Sequence, residues 1–447
     1  MRSVKYRIAC IAIASAFFLS ASSCGYQETT RHSTRAPDFS EQARSEGKPS
    51  VTLSIGMAYR WVSWGGFKDI TDKYQRVTDN KIEIQAFDDA QIDQFIMSRI
   101  ASGDVWDIVI RFAGTIGAKY NPPANFVDLS DEPWVSRVSK SRLPSITFDG
   151  KIYCAPFSGG AGVGIVYNKS IFNDMKIEIP TTYSEFDQVC EKLKDNGITP
   201  IFMAAKDSWP MVQIIGSELA QMWNRDKDLM DKLNRNKITW SDAGLADYFG
   251  IIDEYVKKGY FNSNMATATY DMQVDALAKG EAAMAFQGSW LGNEMESKYP
   301  GSTKNMGLLG GLNRDEDPYN DIINEIGWEG GIYISNKSSN IEVAKDFVRF
   351  WCEPEQLDYY YARKASIPSF EGVNVGEMDG CTADVVAAVN AGKFNAHWND
   401  VYLIPYDEYF NTILSDLFFQ RRTPSEVAEN WDKYCQRIGK QMGFKGF

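Results

Sequence analysis

The side chains best suited to binding chemistry in the first third of the chain stand directly after predicted strands. Alternating apolar residues predict strands over 51–56, 81–87 and 107–112, and the segment 67–78 has a helical pattern. Strand, helix, strand, helix, strand is the order of a parallel doubly wound sheet, in which ligands bind beyond the carboxyl ends of the strands. The candidates there are Tyr59, Trp61, Trp64, Asp88, Asp89, Arg111 and Phe112.

A second group of candidates lies in the middle of the chain. Trp209 stands in the loop after one predicted strand, and Trp290 follows the Gly-Ser that ends another. Trp328 and Glu329 stand beside glycines just before a third strand. Five of the twelve tryptophans, at 61, 64, 209, 290 and 328, therefore fall on loops or strand ends, which is more than core packing predicts. The other seven are assigned to packing.

Catalytic chemistry fits the sequence poorly. The two histidines, His32 and His397, cannot form a histidine-based nucleophile pair or a metal cluster, and neither a metal nor a cofactor is expected. The glycine spacing within 160–164 is not a nucleotide-binding loop, because a strand rather than a helix follows it. The carboxylates that could serve a glycoside hydrolase are Asp88, Asp89, Asp271 and Glu329.

Length and composition describe a globular chain with an acidic balance. With 447 residues, 44% hydrophobic and 24% charged, it can form two or three domains with cores of their own. The net charge is −12, and it becomes −15 once the three basic residues of the predicted signal segment are removed. Nucleic-acid binding depends on clusters of lysine and arginine, so no nucleic-acid partner is expected.

The first 50 residues are predicted to lie outside the fold. Residues 1–23 have the layout of a lipoprotein signal peptide, with basic residues, an apolar run over 8–19 and small residues before Cys24. That run is too short to span a bilayer. The sequence before Cys24 resembles a bacterial lipobox with Ala21 in place of the usual leucine, so Cys24 is the expected lipidation site and ordinary cleavage nearby is the alternative. Residues 24–50 are polar and predict a flexible tether.

Three segments rich in small residues are predicted to connect two lobes. The first, 158–162, precedes a strand over 163–167 and has almost no side-chain bulk, as a backbone hinge or the close approach of a ligand requires. The glycines around 327–331 repeat this pattern, and 372–379 is again a glycine-bearing loop. The predicted division is lobe 1 over 51–157 and 329–375, and lobe 2 over 158–328 and 376–447.

Several short motifs, taken in order, resemble one family. The motifs are Gly150-Lys-Ile-Tyr, Val166-Tyr-Asn-Lys-Ser-Ile-Phe, Pro180-Thr-Thr-Tyr-Ser-Glu-Phe, Gly197-Ile-Thr-Pro, Lys279-Gly-Glu-Ala-Ala-Met with Gly-Ser-Trp290 behind it, and Asn340-Ile-Glu-Val-Ala-Lys-Asp-Phe. Within the third motif, Thr182 and Glu185 have the spacing of a capping box, which predicts the start of a helix. Over residues 50–447 the chain is similar to the extracellular solute-binding proteins of carbohydrate ABC importers, those of the maltodextrin-binding type.

The resemblance implies the fold, the function and the partners. The fold would be α/β and two-lobed, of the type II periplasmic-binding-protein kind, with a doubly wound sheet flanked by helices in each lobe and three crossings between the lobes. The chain would capture a sugar, expected to be an oligosaccharide, by lobe closure and deliver it to the permease subunits, without catalysis. It would be an exported monomer, held at the outer face of the cytoplasmic membrane through the lipid on Cys24.

The resemblance also places the candidate residues at the cleft. A pyranose has apolar C–H faces and a ring of hydroxyls, so aromatic rings would take the faces and charged groups the hydroxyl pairs. The region around Tyr406, Asp407 and Tyr409 often lends a further aromatic in this family but has no fixed motif. The structural alternatives are core packing for Trp290, Trp328 and one of Trp61 and Trp64, helix capping for Asp88 and Asp89, and an ion pair for Arg111.

Two other classes of function stay open. A secreted glycoside hydrolase would release products from an oligosaccharide, whereas a clamp returns its ligand unchanged. A surface adhesin that holds a polysaccharide would bind it without closure of the lobes.

Overall fold

The structure of the chain, a computed structural model, describes residues 50–447 except 90, 141, 316–323, 329, 365 and 405–407. The predicted signal segment, Cys24 and the tether up to residue 49 lie outside the described residues. The strands are β1 (Thr52–Ala58), β2 (Lys81–Phe87), β3 (Ile108–Phe112), β4 (Thr147–Phe148), β5 (Lys151–Ile152), β6 (Cys154–Pro156), β7 (Gly160–Asn168), β8 (Thr199–Ile201), β9 (Ala282–Gly288), β10 (Met306–Leu309), β11 (Asn324–Trp328), β12 (Gly330–Ile334) and β13 (Phe394–Ala396).

The α-helices are α1 (Tyr59–Val62), α2 (Phe67–Thr78), α3 (Ile92–Ser102), α4 (Gly114–Ala118), α5 (Pro122–Asn125), α6 (Leu143–Ile146), α7 (Lys169–Asp174), α8 (Tyr183–Asp195), α9 (Gln213–Arg225), α10 (Leu229–Asn234), α11 (Leu245–Lys257), α12 (Tyr270–Ala278), α13 (Trp290–Lys298), α14 (Ile341–Trp351), α15 (Pro354–Tyr361), α16 (Gly380–Asn390), α17 (Trp398–Val401), α18 (Glu408–Phe418) and α19 (Pro424–Gln441). Short 3-10 helices include Trp64–Gly66 and Trp209–Val212.

Lobe 1 is built on a five-stranded sheet with the order β2-β1-β3-β12-β6. β1 lies parallel to both neighbours, and the register pairs Ala58 with Phe87 and Met57 with Ile110. The segments that follow β1, β2 and β3 therefore leave the sheet at one edge. β12 returns antiparallel between β3 and β6.

The helix α2 shows why these sequences form a layer against the sheet. It begins after Gly66, whose φ is 73°, and ends at Asp79, whose φ is 60°, so that left-handed residues close it at both ends. Between them Phe67, Ile70 and Tyr74 recur at helical spacing and are buried.

The helix α3 begins later than predicted. The carbonyl of Asp88 accepts the backbone N–H groups of Gln91 and Ile92, so a turn separates the strand from the helix. Asp88 and Asp89 therefore precede the helix rather than starting it, and the acidic residue in its first turn is Asp93. That turn positions Asp89 at the edge of the sheet.

Lobe 2 is built on a second sheet, with the order β13-β11-β7-β9-β8 and β10 alongside β7. β7 pairs antiparallel with β9, β10 and β11. On its surface, α8 begins at the predicted capping box: the Thr182 side chain accepts the N–H of Glu185, and the Glu185 carboxylate accepts the N–H of Thr182. The predicted two-lobed α/β fold is confirmed.

Among the described elements, the chain passes between the two sheets three times: from β6 to β7 over 157–159, from β11 to β12, and from α15 to α16 over 362–379, which is the third connecting segment. The predicted hinge over 158–162 is too long, because β7 already begins at Gly160. A Cβ at Gly162 would lie 2.4 Å from Cγ2 of Val385, and one at Gly164 would lie 1.9 Å from the carbonyl oxygen of Leu309. These glycines allow neighbouring elements to pack closely on the strand.

The cores contain the tryptophans assigned to packing. Trp223 is partly buried against the core of lobe 2. The other six of these tryptophans are at most 3% exposed: Trp106, Trp134, Trp240, Trp351, Trp398 and Trp431.

No helix among the residues with a described structure is long and apolar enough to cross a bilayer.

Candidate functional site

Arg111 is the centre of a charged cluster at the carboxyl edge of the first sheet. It lies in β3 and is 3% exposed. Its Nη1 lies 2.8 Å from Oδ1 of Asp89, its Nε lies 2.8 Å from Oδ1 of Asp93, and its Nη2 donates to the Asp89 carbonyl at 3.1 Å. The guanidinium is thus directed at protein groups and holds Asp89 in place, as in the structural alternative considered for Arg111.

Asp93, which the sequence analysis did not single out, completes this cluster. Its carboxylate accepts a hydrogen bond from the Lys119 ammonium group at 2.7 Å and another from the hydroxyl of Tyr120. Burial alone would raise the pKa of Asp93, but Arg111 and Lys119 beside it lower that pKa well below its usual range. Burial and the neighbouring Asp93 carboxylate raise the pKa of Tyr120. Asp93 is therefore an anion that fixes Arg111.

Trp61 packs beneath the surface of lobe 1. It is 2% exposed, and its ring stacks on Trp64 with centroids 5.0 Å apart and on Phe157 with centroids 5.6 Å apart. The Phe112 ring meets it edge-on at 5.2 Å. In this conformation no face of Trp61 is open to a ligand, so of the two tryptophans it is the one that covers the lobe.

Trp64 connects lobe 1 with lobe 2 and with the third connecting segment. Its Nε1 donates to Oε1 of Glu294, in α13, at 3.1 Å. The Nζ of Lys364, in the third connecting segment, lies 3.7 Å from the centroid of its ring. Sequence reasoning missed Glu294 and Lys364, because no local pattern marks a contact between positions so far apart in the chain.

The remaining lobe 1 candidates form its open rim. Tyr59, at the start of α1, is 74% exposed. Asp88 is exposed, and Asp89 and Phe112 are partly exposed. The Arg111 guanidinium lies 4.2 Å from the centroid of the Phe112 ring. Together with the partly exposed Trp64, these four residues are the lobe 1 candidates that a ligand can reach.

An aromatic cluster lies at the facing edge of lobe 2. The ring centroid of Trp209 lies 4.9 Å from that of Tyr270 and 6.5 Å from that of Trp290. Both tryptophans are partly exposed, whereas Tyr270 is buried between them and the lobe. Oδ2 of Asp207 accepts the backbone N–H of Tyr270 at 2.7 Å and so ties the Trp209 loop to α12. Tyr270 was not predicted as a site residue.

The strand end beneath Trp290 fixes the orientation of its ring. A Cβ at Gly288 would lie 2.1 Å from Cζ3 of Trp290, so the ring lies directly over the backbone of a residue that has to be glycine. The Nε1 of Trp290 donates to Oε1 of Gln287 at 3.0 Å, and Gln287 donates to Oε1 of Gln273 at 2.9 Å. Both glutamines are fully buried. Trp290 is thus held at the surface rather than filling the core.

Arg60, also missed from the sequence, reaches from lobe 1 to lobe 2. Its Nε lies 3.4 Å from Oδ2 of Asp89, and its Nη1 lies 3.9 Å from Oδ1 of Asp271. Its Cζ lies 4.6 Å from the centroid of the Tyr270 ring. Burial would lower the pKa of Arg60, but Tyr270, Glu294 and the two aspartates raise it, so the guanidinium is charged. The two lobes are in contact in this structure.

Four candidates are not placed by the described structure. The backbone of Trp328 ends β11 opposite Gly160, but its side chain, Glu329, Tyr406 and Asp407 lie outside the described residues. Tyr409 is described, and its ring stacks on Tyr434 of lobe 2 with centroids 4.8 Å apart.

A polar cavity of about 390 Å³ lies beside Trp64. Its walls come from lobe 1, from α13 and from the third connecting segment. Among the residues placed by the structure, no group of three or more His, Cys, Asp and Glu side chains could hold a metal ion. The charged and aromatic residues that line the cavity are Trp64, Glu294, Glu296, Lys304, Arg363, Lys364, Glu377 and Asp379.

Comparison with known proteins identifies similar chains. The family model described as bacterial extracellular solute-binding protein matches residues 65–357. An uncharacterized ABC transporter extracellular-binding protein of Pyrococcus horikoshii is 26% identical over 245 residues, which cover 54% of this chain and 57% of the relative. The melibiose/raffinose/stachyose-binding protein of Bacillus subtilis is 23% identical over 330 residues, which cover 71% of this chain and 74% of the relative.

The fold matches solved structures over most of the chain. A chitin oligosaccharide binding protein aligns with a TM-score of 0.76 and 21% identity, covering 88% of this chain and 99% of that one. At this identity the likeness concerns the fold. The sequence match to the Pyrococcus relative is shorter and spans little more than half of that protein's length.

Proposed function

This chain belongs to the family of bacterial extracellular solute-binding proteins, and from that premise we propose that it captures a sugar between its two lobes for delivery to the permease of an ABC importer. Similar proteins named for sugar binding support the proposal. Members of this family bind solutes for transport and are not enzymes.

The proposal rests mainly on two surfaces that face each other where the lobes meet. Lobe 2 offers the partly exposed rings of Trp209 and Trp290, and lobe 1 offers Asp89, held by Arg111. Flat rings match the C–H faces of a pyranose, and a carboxylate accepts from two adjacent hydroxyls. A sugar on one lobe gains the second set of contacts only when the other lobe closes, and this difference in affinity drives closure.

We propose a neutral oligosaccharide as the ligand. Two tryptophans on lobe 2 provide area for more than one sugar ring, and the acidic body, with a net charge of −12 over the whole chain, disfavours anions. The relative named for melibiose, raffinose and stachyose points to the same class.

The proposed ligand contacts are a subset of the sequence candidates. Trp61 and Arg111 are assigned to support, because both faces of the Trp61 ring are covered and the buried Arg111 directs Nε, Nη1 and Nη2 at oxygens of Asp93 and Asp89. The proposed contacts are Tyr59, Trp64, Asp88, Asp89, Phe112, Trp209, Trp290, Trp328 and Glu329.

We further propose that the protein is an exported monomer, anchored by a lipid on Cys24 after removal of residues 1–23. Residues 24–50 would tether the two lobes to the outer face of the cytoplasmic membrane, within reach of the permease. The lobe boundaries are proposed as 51–157 with 329–375 and 158–328 with 376–447.

A thermal-shift screen against mono- and oligosaccharides, followed by mass spectrometry of each mixture, tests this function. A sugar at about a hundred times its dissociation constant adds about 2.7 kcal/mol of stability. A shift with the sugar intact is the expected result. A shift with the sugar cleaved would instead indicate a glycoside hydrolase, and a panel without any shift would contradict sugar binding.

A further inference from the structure

Arg60, in α1 of lobe 1, places its charge against protein groups on both sides of the cleft. On lobe 1, its Nε faces Asp89 at 3.4 Å. On lobe 2, its Nη1 faces Asp271 at 3.9 Å and its guanidinium lies on the ring of Tyr270, 4.6 Å from the centroid. All of these contacts are between protein groups, so they form without a sugar.

The groups around Arg60 differ in how firmly they are held. Asp89 is held by the buried Arg111, and Tyr270 is held by Asp207 through its backbone N–H. Arg60 and Asp271 are more exposed, with side-chain exposures of 29% and 78%. The partly exposed Arg60 side chain therefore contacts Asp89 and Tyr270, each of which is held by its own lobe. This contact can form and break as the lobes move.

We propose that Arg60 is a latch that holds the lobes together in the closed state and so sets the affinity for every sugar by the same factor. This inference rests on the proposed function. It makes Arg60 a positioning residue, which acts through the equilibrium between open and closed lobes and not through a bond to the ligand. A ligand's apparent affinity scales with the population of the binding-competent state, so a weaker latch weakens all ligands equally.

The test is isothermal titration calorimetry of the full-length protein with raffinose, stachyose, maltotriose and chitotriose. Arg60→Gln removes the charge and the cation–π contact, and we expect the Kd of each sugar that binds to rise about three- to ten-fold. Arg60→Lys keeps a cation over Tyr270 and should restore part of the affinity. Because the contact is partly exposed, the ratio between wild type and Arg60→Gln should shrink at 1 M salt, where the screening length is about 3 Å.

A double-mutant cycle with Asp271→Asn separates a latch from a local effect. Asp271 is on the other lobe, so the losses from Arg60→Gln and Asp271→Asn should be less than additive in the binding free energy. Lys68→Gln is the matched control, because Lys68 pairs with Asp72 of the same helix at 2.9 Å and should leave Kd unchanged.

Each outcome has a distinct meaning. An unchanged Kd for Arg60→Gln, in a protein that does bind a sugar, would overturn the latch and leave the proposed function intact. A loss confined to one sugar would also overturn it, and would make Arg60 a direct ligand contact. Strictly additive losses in the cycle would show that Arg60 and Asp271 do not interact in the bound state, and would overturn the latch as proposed. A wild-type protein that binds no sugar in the panel would overturn the proposed function and the latch together.

Discussion

At the scale of residues, the proposed site consists of side chains whose position is set by groups beneath them. Trp290 lies over Gly288 and donates to the buried Gln287, while Asp89 is held by Arg111. These supports keep the rings and the carboxylate in place before a ligand arrives, which lowers the ordering cost of binding. The residues proposed to touch the ligand and the residues that hold them are thus largely different sets.

Trp290→Ala should weaken sugar binding about ten-fold while the fold is retained, because a partly exposed ring is removed from the surface of lobe 2. Calorimetric titration with a sugar found in the thermal-shift screen measures the change. Trp223→Ala, which removes another partly exposed tryptophan of lobe 2, is the control and should leave Kd unaltered. Equal affinities for Trp290→Ala and wild type would remove Trp290 from the site.

Asp93→Asn should lower the free energy of unfolding by about 2 kcal/mol near neutral pH, because Arg111 loses one of its two carboxylates in a buried setting. The folded-state pKa of Asp93 is lowered, so its contribution to stability is present above the unfolded pKa of about 3.9 and is lost as the pH falls below it. The difference between wild type and Asp93→Asn in urea unfolding should therefore shrink between pH 6 and pH 3.

Asp104→Asn is the control for this prediction. Asp104 is in an exposed pair with Arg99 on the same lobe, and its loss should change the free energy of unfolding by less than about 0.5 kcal/mol. A difference for Asp93→Asn that stays constant across this pH range would contradict the account of the Arg111 cluster.

At the scale of elements, the sequence predicts what local patterns encode. The strand at 81–87, the helix at 67–78 and the capping box at Thr182 form as predicted, because alternation, helical spacing and capping are properties of neighbouring residues. The start of β7 could not be predicted from local patterns. Its glycines are required because Leu309 and Val385, which lie far along the chain, pack closely on the strand. The same limit applies to the site, where Trp64 meets Glu294 across 230 positions.

Gly288→Ala should weaken sugar binding as much as Trp290→Ala, because the added Cβ occupies the place of the Trp290 ring and must displace it. The double variant should be no weaker than either single variant, since both act on one ring. Calorimetric titration of the three variants measures this. If Gly288→Ala binds like wild type, the ring does not depend on the strand end below it.

Gly250→Ala is the matched control for that substitution. Gly250 lies in α11, and a Cβ there would have no atom within 4 Å. Replacing a helical glycine by alanine should raise the free energy of unfolding by about 0.5–1 kcal/mol and leave sugar binding unchanged.

At the scale of the whole molecule, the proposed function depends on two lobes that meet around a ligand. The described structure has them in contact through Arg60 with Tyr270 and through Trp64 with Glu294. Both of these contacts are polar, and partly exposed polar contacts contribute little free energy each, so we expect the lobes to be able to separate when no sugar is bound. A bound sugar would add contacts to both lobes and shift the population toward closure.

Small-angle X-ray scattering of the protein with and without a binding sugar tests this central claim most directly. The radius of gyration should decrease at saturating sugar, and the curve with sugar should match the structure with its lobes in contact. The sugar for the experiment is one that stabilises the protein in the thermal-shift screen and is recovered intact. Superimposable curves at saturation would contradict a clamp and would favour a surface adhesin that binds without closure.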